Sequence, residues 1–86
     1  MLKNSREKMI AEDIINYCRE TLNIPKDISI AIAFEDLSED NVKGWVYDEA
    51  GTGEYDIEID NSLGFRELVT TICHEMVHVQ QLVEGR

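Results

Sequence analysis

Within the stretch ICHEMVHVQQLVEGR, residues 72 to 86, His74, Glu75 and His78 carry the residue types and spacing of metal-assisted hydrolysis. Two histidines four residues apart on a helix stack one turn above each other on the same face. Two imidazoles so placed can reach one metal ion, and a ring nitrogen at about 2 Å is an ordinary zinc ligand. Glu75 lies about 100° round the helix axis, beside the two ligands. A carboxylate there can accept a proton from a water that attacks a polarised carbonyl. These are the only two histidines in the chain. The competing assignment is a solvated helix face that binds metal weakly and turns nothing over.

The motif requires a helix, and the pattern around it predicts one. Asp60, Asn61 and Ser62 offer N-cap side chains, with a start between Ser62 and Phe65. Phe65, Leu68, Val69, Ile72, Met76, Val79 and Val83 then recur at three- and four-residue steps, on the side away from His74 and His78. A first helix is predicted over Lys3 to Asn23, where Ile10, Ile14, Cys18 and Leu22 fall four apart and Ile15 and Tyr17 widen the stripe; Pro25 ends it. Ile28 to Phe34 alternates apolar with small residues and bears no charge, which predicts an internal strand with a helix on one side. Glu35 to Asn41 is turn-rich. Gly44 to Asp48 and Tyr55 to Asp60 read as two further strands joined through Gly51-Thr52-Gly53, the last with Tyr55, Ile57 and Ile59 inward. The expected fold class is α+β: an N-terminal helix, a small three-stranded mixed sheet and a C-terminal active-site helix, with both helices covering the sheet.

Length and charge narrow the function. Eighty-six residues predict one small domain, 1–86, with room for a modest core. Eighteen Asp and Glu against eight Lys and Arg give a formal net charge of −10. That field disfavours direct binding to nucleic acid or an anionic membrane and suits a basic peptide. It also simply keeps a small protein soluble. Cys18 and Cys73 are too few for a disulfide framework, and no leader or membrane span is evident, so a cytoplasmic setting is expected.

Thr70-Thr71-Ile72-Cys73-His74-Glu75-Met76-Val77-His78 resembles the active-site helix of the zincin metallopeptidases, and the preceding strands and backing helix resemble the N-terminal half of that fold. More narrowly, the chain is similar to very small single-domain zincins, the SprT-like proteins and the minimal gluzincins of phages. The resemblance implies a zinc-dependent peptidase in which His74 and His78 hold Zn2+ and Glu75 is the catalytic base. It implies a peptide or protein substrate, bound in extended form along an edge strand formed by Gly44, Trp45, Val46 and Tyr47, with the third strand between that edge and Ile28–Phe34. A SprT-like role would place DNA-associated proteins among the substrates, although the charge predicts no direct DNA contact. The alternative function is a metal-binding, catalytically inactive zincin-like module used for interaction.

The third zinc ligand is the departure from the family. Gluzincins take a Glu from a later helix and SprT-like proteins a later His, and the sequence as far as Arg86 offers neither. Glu84 is the local candidate, ten residues after His74 as in metzincins. Those proteins bend the chain at a Gly where this sequence has Gln81. On an unbroken helix Glu84 sits about 9 Å beyond His78 and about 120° round, so it reaches the metal only if the helix breaks. The ending reads as a C-terminal truncation of the third-ligand region. A ligand donated across a homo-oligomer and an incomplete site are the other two expectations.

Overall fold

The computed structural model describes residues 5–49 and 52–85. Helix α1 (Ser5–Thr21) leads to strand β1 (Ser29–Glu35), a 3-10 turn at Ser38–Asp40, strand β2 (Gly44–Glu49), strand β3 (Glu54–Asp60) and helix α2 (Phe65–Glu84). This is the expected α+β arrangement. The sheet order is β1-β3-β2, with β1 parallel and β2 antiparallel to β3.

The strand registers fix which side chains face inward. Ile30, Ile32 and Phe34 lie opposite Tyr55, Ile57 and Ile59, and Val46 lies opposite Ile57, so these share one face. Both helices pack on it: α2 covers β2 and β3, and α1 lies against α2. The other face, with Ala31, Ala33 and Asp56 exposed, is covered by no described element. β1 is therefore an edge strand and not the internal one its uncharged pattern predicts. The central place goes to β3, where Tyr55, Ile57 and Ile59 are all buried, and α1 runs along the β1 edge with Ile15 and Arg19 beside Ile30 and Ile32. Absence of charge on β1 reflects a small-residue outer face, which solvent tolerates at an edge.

The helix ends differ from the sequence signals in instructive ways. α1 stops before Pro25 is reached: Asn23 turns left-handed at φ 56°, Ile24 N–H donates to the Arg19 carbonyl at 3.0 Å and Asn23 N–H to that of Glu20 at 3.2 Å. This paired closure satisfies the last carbonyls of a helix. Ala11, Ile15 and Cys18 are its buried residues, whereas Tyr17 is 69% exposed and does not widen the stripe. α2 is capped by Gly64 without a side-chain cap, so Asp60, Asn61 and Ser62 are not its N-cap. Ser62 Oγ instead donates to Asp60 Oδ2 at 2.8 Å. Leu63 before the cap and Leu68 in the first turn are both buried in the core, an apolar clasp that sets the start of the helix. Phe65 is 62% exposed and leaves the predicted stripe; Leu68, Ile72, Met76 and Val79 are fully buried. Gly53 takes φ 76° ahead of β3, which glycine adopts without strain, while Gly51 lies outside the described residues.

Candidate functional site

α2 carries His74 and His78 on its solvent side and Glu75 on its inner side. The two imidazoles are exposed, with ring centres 4.6 Å apart and planes inclined at 50°. Two rings sharing one tetrahedral zinc at Zn–N of about 2.0–2.1 Å have centres about 5 Å apart, so a small rotation brings both nitrogens to one ion. The pair thus fits two ligands of a zinc site. Among the described residues no third His, Cys, Asp or Glu joins them. α2 continues unbroken through Gln81 to Glu84, and the bend that would bring Glu84 to the histidines is not present. Glu84 is not part of the pair's surroundings.

Glu75 is only 6% exposed. Its carboxylate makes no hydrogen bond or ion pair among the described residues, and no fully enclosed polar side-chain atom there is left without a partner. Its oxygens therefore keep their solvent contact through the groove they line. That groove, of about 580 Å³, runs between the start of β2 and α2: Val42, Lys43 and Gly44 form one wall, and Arg66, Glu67, Thr70, Thr71, His74 and Glu75 the other. His74 and Glu75 thus open on the same space, with His78 one turn further on.

Gly44 is what lets the two walls meet. A Cβ built there would lie 2.9 Å from Thr71 Cγ2, 3.0 Å from Ile59 Cδ1 and 3.1 Å from the Glu58 carbonyl oxygen. The absent side chain permits α2 to seat against β2 directly beside Glu75. Lys43 Nζ bridges to Glu67 Oε2 at 3.0 Å across the groove mouth, with both side chains more than half exposed. A pair this exposed contributes less than about 1 kcal/mol. It positions the rim more than it stabilises the fold.

β2 is an edge strand, paired only with β3 among the described residues. Asp60 N–H donates to the Lys43 carbonyl at 2.8 Å. Antiparallel pairing alternates, so Trp45 and Tyr47 also turn their backbone groups to β3, while Gly44 and Val46 present N–H and C=O to the open side. The four residues expected to form one substrate edge therefore divide. Gly44 and Val46 offer free backbone; Trp45 and Tyr47 project onto the outer sheet face. There the Trp45 and Tyr47 rings meet edge-on at 5.6 Å, and Trp45 Nε1–H donates to Glu58 Oε1 at 2.6 Å.

Val42, Lys43, Arg66 and Glu67 line the groove without having been singled out from sequence. Nothing local marks them, since a charged residue beside a helix start looks like any solvated position. Thr71 carries a weak signal, being a polar residue only 7% exposed at the border of a largely apolar helix face. No helix among the described residues is long and apolar enough to cross a membrane. No known protein family, curated protein or solved structure matches the chain.

Proposed function

We propose that the chain is a zinc-dependent metallopeptidase of zincin type, acting on peptide bonds in extended segments. One observation carries the reading: His74 and the buried, unpartnered Glu75 line one groove whose opposite wall begins a free strand edge, and His78 stands one turn on from His74 in chelating geometry. His74 and His78 are the residues that would hold the ion, through ring nitrogens. Zinc, when bound, supplies a Lewis acid that polarises the scissile carbonyl. The free N–H and C=O groups of Gly44 and Val46 pair with the substrate backbone and hold it antiparallel to β2. A Glu75 carboxylate oxygen takes the proton of the attacking water and returns it to the departing amine nitrogen. The walls of the groove limit competing water around that transfer.

The test is cleavage of a mixture of unstructured peptides by zinc-loaded protein, read by mass spectrometry, with Glu75→Gln as control. Cleavage by the parent and its loss in the variant support the peptidase. One zinc per chain, lost in His74→Ala and His78→Ala but accompanied by no cleavage, assigns instead a metal-holding interaction module, in keeping with the two ligands that the described residues provide. Cleavage undiminished in Glu75→Gln sinks the proposed mechanism.

A further inference from the structure

The seam between the helices brings together two groups that the groove chemistry does not use. Cys18 of α1 and Cys73 of α2 are the only cysteines in the chain, both free, and their sulfurs lie 3.8 Å apart across 55 positions of sequence. Cys18 is 6% exposed and Cys73 is half-buried. The same seam is pinned further along, where Gln80 Nε2 donates to the Leu22 carbonyl at 3.1 Å. An S–S bond of about 2.05 Å needs the sulfurs to approach by less than about 2 Å, within reach of side-chain rotation and a slight closing of the seam.

We propose that Cys18 and Cys73 form a redox-sensitive pair, closed to an intrachain disulfide by small-molecule disulfides and tying α1 covalently to α2. Exposure sets the order of events. The Cys73 sulfur gives its proton to solvent and attacks one sulfur of oxidised glutathione; a Cys73–glutathione bond forms, the glutathione S–S bond breaks, and one glutathione leaves with the electron pair. Cys18 then gives its proton to solvent and attacks the Cys73 sulfur, and the second glutathione leaves. Two protein thiols are oxidised and one glutathione disulfide is reduced to two thiols. Burial, and secondarily the contact with Cys73, push the Cys18 thiol up to about 11. It is therefore slow towards reagents in solution, yet already in place for the second step. The proposal does not depend on the peptidase reading, since Cys73 faces α1 while His74 and His78 face solvent and groove.

The experiment incubates the 86-residue protein with oxidised glutathione, blocks residual thiols with iodoacetamide and maps the products by mass spectrometry. The expected product is a monomer with no free thiol, a linked Cys18–Cys73 peptide and a Tm raised by about 10 °C or more, reversed by dithiothreitol. Cys18→Ala should stop at a stable glutathione adduct on Cys73. Cys73→Ala should leave Cys18 unmodified over the same period. Parent protein that accumulates glutathione adducts without a crosslink, or that forms disulfide-linked dimers, overturns the proposal.

Discussion

Replacing Gly44 with alanine tests whether the close seating of β2 on α2 builds the groove. The added methyl would stand 2.9 Å from Thr71 Cγ2, 3.0 Å from Ile59 Cδ1 and 3.1 Å from the Glu58 carbonyl oxygen. Two of these neighbours are side-chain ends, but the third is central-strand backbone held by the ladder on both sides. Overpacking of this kind costs about 1–3 kcal/mol. Gly44 is not among the residues with positive φ, so alanine meets no backbone penalty and recovers about 0.4–1 kcal/mol by restricting the unfolded chain. The net loss is about 1–2 kcal/mol, a fall in Tm of about 5–15 °C for a domain of this length. The assay is urea and thermal unfolding of parent, Gly44→Ala, Thr71→Ser and the double variant. Thr71→Ser removes the nearest methyl, so the double variant should regain part of the loss, and the fixed carbonyl should keep the recovery incomplete. Parent-like stability in Gly44→Ala, or no positive coupling in the cycle, would refute the idea that this contact is at its packing limit.

Other outcomes follow from the same geometry. Glu75→Gln should lower hydrolysis by about 10²–10⁴-fold, the usual worth of a general base, while Tm stays near the parent value because the side chain has no hydrogen-bond or ion-pair partner to lose. In native mass spectra of demetallated protein titrated with zinc, His78→Ala should lose the ion and Glu84→Ala should bind as the parent does, because α2 is unbroken to Glu84. Asp36 is held below the ordinary carboxylate range by the Ser38 hydroxyl, donating at 2.7 Å, and then by the Ser38 N–H at 3.0 Å. A folded value below the unfolded one gives a contribution that is complete above the unfolded value and lost as pH falls through the folded one, below about pH 4. In Ser38→Ala the carboxyl should titrate at higher pH than in the parent, by carbon-detected NMR.

Much of this was legible because the informative signals are periodic. Strict alternation in Tyr55–Asp60 and the three- and four-residue steps of Ile72, Met76, Val79 and Val83 fix both element type and inner face, since one wrong step would bury Asp56 or Glu58. The histidine pair was legible for the same reason, an i, i+4 relation that a helix turns into proximity. What the sequence could not reveal depends on partners distant in the chain. That β1 is an edge is written on neither of its faces; it follows from which strands pair, an order that only the zincin resemblance implied, by setting the third strand between the other two. Phe65 and Tyr17 look like stripe residues until the sheet's extent is known. The groove wall of Lys43, Arg66 and Glu67 arises from two elements meeting around Gly44, a contact whose only local trace is a missing side chain.

The circumference of α2 also decides where a third ligand can come from. At about 100° per residue, Leu68, Ile72, Met76, Val79 and Val83 fall within an arc of about 80°, and this arc meets the sheet. Thr71 and Glu75 flank it on the β2 side, and Cys73 and Gln80 flank it on the α1 side. His74 and His78 occupy the remaining sector beyond Glu75. Glu84 points about 100° away from the middle of that sector, on the α1 side. Glu67 does share the histidines' sector, but it starts about 10 Å below His74 along the axis and is engaged by Lys43. Neither carboxylate of α2 that remains beside Glu75 can therefore complete the pair while the helix stays straight. If the pair holds zinc with three protein ligands, the third comes from outside α2, from this chain or from another copy. Zinc stoichiometry measured against protein concentration separates those two sources, because a ligand donated by a second copy makes binding steepen with dimer formation and a ligand in the same chain does not.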